Sequence, residues 1–88
     1  MFIQTEETPN PLTLKFLPGR PVMESGTANF PSVATAQRSP LALSLFDLEG
    51  VTGVYLGADF ITVTKGADRD WYAMKPSVLG VIMEHFTA

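Results

Sequence analysis

"VTGVYLGADFITVTK", Val51–Lys65, decides how the rest of this chain is read. Val51–Leu56 and Phe60–Lys65 are rich in β-branched and aromatic residues, the types that fit a pleated, half-buried surface. Gly57-Ala58-Asp59 makes a short turn between them, so the stretch predicts an antiparallel hairpin. A side-chain period of two puts Ile61 and Val63 on one face and Phe60, Thr62 and Thr64 on the other. The hairpin therefore has an apolar face that other elements must cover.

Helices flank it on both sides. Upstream, Ser39 is a natural N-cap and Pro40 suits the first helical position, where its missing N–H costs nothing. Leu41, Leu45 and Leu48 recur at helical spacing with Ala42 and Phe46 beside them, and Gly50 is the expected residue just past the end. Asp47 and Glu49 fall at the end of the helix that its dipole disfavours for acids. Downstream, Gly66–Asp70 is a polar loop ending in a capping aspartate, and a second helix is expected to start near Pro76. Val78, Leu79, Ile82, Met83 and Phe86 form its apolar stripe, with Trp71 and Met74 folded over the core as a lead-in turn.

Further out, the N-terminal part alternates apolar and polar residues over Phe2–Thr5 and again over Thr13–Leu17. Pro9 and Pro11 cannot donate to a sheet ladder, so the segment between these strands is a stiff loop. Pro18-Gly19 is a turn, and a third extended piece is expected within residues 22–30, weakened by Gly26. The order is strand, strand, strand, helix, strand, strand, helix. Hairpin-length connections favour antiparallel pairing, and both helices need a sheet face. The expected fold is α+β: a two-layer sandwich whose mainly antiparallel sheet of four to five strands is covered by two helices. Leu14, Phe16, Leu41, Leu45, Val54, Ile61, Val63, Leu79, Ile82 and Phe86 are its expected core.

The 88 residues make one domain, 1–88, whose short chain buries only about 60–65% of its unfolded surface and leaves a thin stability margin. Six Lys+Arg against nine Asp+Glu give a net charge of −3, which argues against nucleic acid as a partner. There is no basic, apolar leader and no apolar run of about 20 residues, so no membrane partner is expected and the domain reads as soluble and intracellular. With no cysteine, the chain has no thiol nucleophile and no cysteine-ligated zinc or iron–sulfur centre.

Chemistry-bearing groups do not converge. His85 is the single histidine and sits near a helix C-terminus, where a cation is favoured and a surface or capping role follows. None of the five serines lies in a nucleophile elbow. Glu6 and Glu7 are adjacent in a strand and point apart, and Asp68 and Asp70 lack calcium-loop spacing. Gly50, Gly53 and Gly57 follow a helix and lie in a hairpin, the wrong order for a phosphate cradle. Lys15, Arg20 and Arg38 could form a small basic patch or a solvated surface. No catalytic, cofactor-binding or metal residue is assigned, and the chain reads as a non-enzyme.

Three segments carry a family resemblance: "TPNPLTLKFLPG" (residues 8–19), "RSPLALSLFDLEGVTGVYLGADFITVTK" (38–65) and "DWYAMKPSVLGVIMEHF" (70–86). Together they closely resemble the N-terminal domain of Nfu/NifU-like iron–sulfur cluster scaffold proteins, over essentially the whole chain. In that family this domain precedes a second one whose Cys-x-x-Cys motif holds the cluster. The resemblance implies a non-catalytic accessory or interaction domain in iron–sulfur cluster assembly and delivery. Its implied partners are client or assembly proteins and its own C-terminal cluster-binding domain, if present. Iron binding would be a property of the whole scaffold, and no cofactor is expected on this chain. The resemblance implies a cytoplasmic location if the source is bacterial, mitochondrial if eukaryotic. Thr8, Asn10, Pro11 and Arg38, in the two loop-borne hallmarks, are the partner-contact candidates. The alternatives are a free-standing α+β module with a regulatory or ligand-binding role and, last, an enzyme. The chain is either cut at a domain boundary or a natural stand-alone module.

Overall fold

In the computed structural model, which describes residues 2–87, the hairpin forms the middle of the sheet. Five strands, β1 (Gln4–Glu7), β2 (Thr13–Leu17), β3 (Ala28–Phe30), β4 (Val51–Leu56) and β5 (Ile61–Lys65), pair antiparallel in the order β1-β2-β5-β4-β3. A 3-10 turn at Val33–Ala36, which the sequence reading had not anticipated, precedes α1 (Pro40–Phe46). α2 runs from Trp71 to Thr87. The third extended piece is the edge strand β3.

The registers stack the apolar residues into rows across the sheet. Leu14 faces Val63, which faces Val54, which faces Phe30; Phe16 faces Ile61, which faces Leu56, which faces Ala28. Onto these rows α1 sets Leu41, Ala42 and Leu45, and α2 sets Met74, Val78 and Ile82 at four-residue spacing. Phe16, Leu45, Ile61, Val63, Val78 and Ile82 are fully enclosed. The opposite face, with Lys15, Thr62 and Tyr55 in a row, carries no helix. Tyr55 and Phe60 stack there, and the Lys15 ammonium lies 4.6 Å from the Phe60 ring centre.

Eight of the ten expected core residues are buried, whereas Leu79 and Phe86 only pack at its margin. Val78 takes the central place on α2 because 74, 78 and 82 lie on one line of the helix and Leu79 is rotated away. Phe30, Leu56 and Ala36 complete the core.

Two helix ends differ from expectation. α2 begins at Trp71, not near Pro76, so Trp71 and Met74 belong to the helix itself. Asp70 caps it: the Tyr72 N–H donates to its carboxylate at 3.1 Å, and its carbonyl accepts from Met74 at 3.0 Å. Pro76 then forgoes one backbone bond, that to the Tyr72 carbonyl, while its ring faces solvent. The early start brings Trp71 edge-on to Phe16, centroids 6.3 Å apart, and buries Met74. α1 has the expected Ser39 cap, whose hydroxyl accepts from Ala42 N–H at 3.1 Å, but it stops at Phe46. Gly50 lies beyond it, in the turn into β4, with φ +98°.

Glycine is required at Gly50 by that left-handed φ and at Gly57 by contact. A Cβ on Gly57 would lie 2.1 Å from the Phe60 ring, which folds across the hairpin turn. Lys65 continues the inward alternation of Ile61 and Val63 and is nearly buried; its ammonium donates to the Arg69 carbonyl at 2.5 Å and so ties the loop before α2. A bulge at Thr52 lets Val51 pair with Lys65.

Replacing Leu45 or Ile61 by Ala should cost about 2–5 kcal/mol in denaturant melts. Losses below about 1 kcal/mol at both sites would mean that these faces do not form the core.

Candidate functional site

Among the described residues His85 has no hydrogen-bonded side-chain partner, and the polar groups that do converge lie on the surface beside the Thr8–Pro11 loop. The loop Thr8–Pro11 is held by its own side chains. The Thr8 hydroxyl lies 2.8 Å from the Asn10 carbonyl and 2.9 Å from the Thr13 carbonyl, its single proton serving one at a time. Its oxygen accepts from the Asn10 N–H at 3.2 Å. The Asn10 side-chain oxygen accepts from the Leu12 N–H at 3.0 Å, and its carbonyl from the Thr13 N–H at 2.9 Å. The Trp71 indole N–H donates to the Pro11 carbonyl at 3.3 Å. The prolines remove backbone freedom, and the indole fixes the loop to the first turn of α2.

Between that loop and α2 lies a cleft of about 510 Å³, with Thr5 and Glu7 of β1 along its floor and Tyr72 and Lys75 on the helical wall. Tyr72 is 89% exposed, a large aromatic side chain presented to solvent. Glu7 and Lys75 enter no ion pair among the described residues; the pairs are Lys15 with Glu6 at 3.8 Å and Arg69 with Glu49 at 2.6 Å. A larger and more open cleft of about 790 Å³, beside Phe2, Leu17 and Arg20, gathers fewer convergent polar groups.

Three candidates, Thr8, Asn10 and Pro11, thus line one cleft, and the fourth, Arg38, is exposed in another. The Thr8 hydroxyl and the Asn10 side-chain oxygen are engaged within the loop itself, so the Asn10 amide nitrogen, Pro11 and the neighbouring Tyr72 and Lys75 are the groups left for a partner. Tyr72 and Lys75 carry no signal for this in the sequence, because a helix start near Pro76 leaves both outside the helix that in fact presents them. Lys15 and Arg20 do not join Arg38 in a patch: Lys15 lies against Glu6 and Phe60, and Arg20 reaches the Phe86 carbonyl at 3.2 Å and its ring. His85 is exposed in the last turn of α2, edge-on to Phe86.

The donor set does not fit an iron–sulfur cluster. The chain has no cysteine, and among the described residues no three of His, Asp and Glu converge as metal ligands. No described helix is long and apolar enough to cross a membrane. The Glu49 carboxylate is held below the usual glutamate range by its hydrogen bond and charge pairing with Arg69. Asp47 and Glu49 lie outside α1's regular turns, at its cap and beyond.

Comparison with known proteins now places the chain. The family model described as "Scaffold protein Nfu/NifU N terminal" matches residues 3–88. The chain belongs to that family. The human mitochondrial protein named NFU1 iron-sulfur cluster scaffold homolog is 54% identical over 89 residues, covering 100% of this chain and 35% of its own length. NifU-like protein 4, mitochondrial, of Arabidopsis thaliana is 49% identical over 88 residues, covering 100% and 31%. The chain therefore spans about a third of the length of these relatives. In three dimensions the Nfu/NifU N-terminal fold recurs in the solution structure of a NifU-like protein from Saccharomyces cerevisiae. There the TM-score is 0.81 at 27% identity, over 94% of this chain and 76% of that one. A crystal structure of a Staphylococcus aureus protein matches with a TM-score of 0.77 at 28% identity, over 93% and 99%.

Asn10→Ala should cost no more than about 1.5 kcal/mol, because it removes one exposed hydrogen bond. It should nevertheless speed amide exchange at Leu12; an unchanged rate would show that the prolines alone hold the turn. Glu49 has its folded pKa depressed, so its stabilisation is present above the ordinary glutamate pKa and is lost as pH falls through the folded value. Thermal melts across the acidic range should therefore converge for the native chain and Glu49→Gln at low pH and separate as pH rises. Parallel curves would show that the Arg69 pair contributes nothing.

Proposed function

We propose that this domain is the non-catalytic interaction module of an iron–sulfur cluster scaffold protein. It docks client or assembly proteins while the cluster is carried by a separate, cysteine-bearing domain. The observation that carries this reading is the pairing of a cysteine-free chain with a braced surface: the Thr8–Pro11 loop bonded to Trp71, beside an exposed Tyr72. A rigid loop and an aromatic side chain lose little entropy on binding, which favours partner contact. The relatives' names supply the pathway, because both human and plant proteins are called scaffold or NifU-like and mitochondrial. On the same grounds we assign a mitochondrial location if the source is eukaryotic; for a bacterial source the cytoplasmic location rests on the family resemblance alone. A second reading, a free-standing module, draws support from the Staphylococcus aureus chain, matched over 99% of its length.

Two measurements test the main reading. Anaerobic treatment of the 88-residue chain with iron and sulfide should leave no chromophore after desalting; a stable brown product with stoichiometric iron would sink the assignment. In a chimera, this chain replaces the matching third of the human relative. There Tyr72→Ala should leave cluster loading unchanged and slow transfer to an apo-client protein. Loss of loading with transfer unaffected would assign the domain to assembly chemistry instead.

A further inference from the structure

A further cleft, of about 390 Å³, opens where β3 and β4 meet the start of α1 and the end of α2. Its floor is apolar: Phe30, Leu41 and Leu56 present the last few per cent of their surface there, and Met23 forms a flank. Arg38 and His85 stand on its rim. Its charge sets it apart. The chain carries a net charge of −3, and the other four described clefts each include an acid: Asp59, Glu7, Glu49 with Asp70, and Glu84. The wall of this one includes none. The nearest acid along α2, Glu84, lines the adjoining cleft instead.

Arg38 is also uncommitted. Arg20 bonds the Phe86 carbonyl and Arg69 bonds Glu49, whereas Arg38 has no hydrogen bond or ion pair among the described residues. Arg20 is engaged elsewhere, on the Phe86 carbonyl and ring, and lies outside this cleft. An exposed guanidinium free of internal partners keeps its bidentate fork for a carboxylate.

We propose that this cleft docks a short acidic segment of a partner protein. An aliphatic or aromatic side chain enters over Phe30 and Leu56, and a neighbouring carboxylate pairs with Arg38 and His85. The volume suits one or two side chains, and the apolar floor gives a phosphate backbone nothing to bind. The overall negative charge further disfavours nucleic acid. The inference rests on the reading of the domain as an interaction module and names the chemistry of one partner.

The test is an amide NMR titration of the 88-residue chain with a synthetic peptide bearing Leu-Phe flanked by glutamates, and with its lysine-flanked counterpart. The acidic peptide should shift Ala28, Arg38, Leu41 and His85, and the basic one should not. Arg38→Glu should weaken binding about tenfold or more, a loss of about 1.4 kcal/mol, with Arg38→Lys in between. The proposal is overturned if both peptides bind alike, if neither binds, or if the shifts map to the Thr8–Pro11 cleft. It is equally overturned if an oligouridine produces the stronger shifts at the same amides. Peptide binding that survives alongside normal cluster transfer by a domain-deleted human relative would leave this cleft standing and remove the scaffold role. Absent peptide binding with slowed transfer by Tyr72→Ala would do the reverse.

Discussion

The central strand β5 is the constraint on which the rest depends. Ile61 and Val63 are fully enclosed, and each is matched by an apolar neighbour on both flanking strands: Phe16 and Leu56 for the first, Leu14 and Val54 for the second. A slip of one residue would turn Thr62 and Thr64 toward the helices and expose the apolar pair. Both rows would break together, so the register is strongly specified. The hairpin with β4 is local, but the pairing with β2 joins segments far apart in sequence, and that closure is expected to limit folding speed. The stiff loops before and after β2 reduce what must be ordered when it closes.

That constraint explains why much of the fold could be read from sequence. Alternation in Val51–Lys65 and the Ser39-Pro40 start are local signals with local causes, and both hold in the structure. The misreadings arose where a local rule met a tertiary demand. Pro76 marks a helix start by propensity, yet Trp71 and Met74 are needed against Phe16 and the core, and their burial outweighs one lost backbone bond. Gly50 has the backbone freedom of a helix terminator, but the left-handed φ serves the turn into β4. Leu79 and Phe86 looked central because spacing gives a stripe without giving its centre line; Val78 could be placed only once the sheet was known.

The candidate surfaces were less legible for a related reason. The Thr8–Pro11 loop stood out through its prolines, but its wall, Tyr72 and Lys75, comes from the misplaced first turns of α2. The cleft under Arg38 is assembled from β3, β4 and the near ends of both helices. Arg38 and His85 are distant in sequence, and only the fold brings them to one rim. An absence of acids in a cleft has no sequence signature at all, since it depends on where every carboxylate in the chain has been sent.

Where they are sent shapes the surface that this domain presents. Its ion pairs, Lys15–Glu6 and Arg69–Glu49, are exposed, so they contribute little to stability and leave the surface field to be set by unpaired groups. The core keeps one charge, Lys65, and satisfies it with backbone carbonyls, so the helix-facing side makes no electrostatic demand on a partner. Two of the modest clefts outside differ in character, one aromatic and mixed in charge, one apolar with Arg38 on its rim. Surfaces of that size hold a few anchoring side chains and fall at the small end of stable interfaces, where complexes form and separate quickly. Under the proposed reading, in which partners arrive, exchange cargo and leave, that weakness is an advantage. Tight binding through a large apolar face would hold the client after transfer.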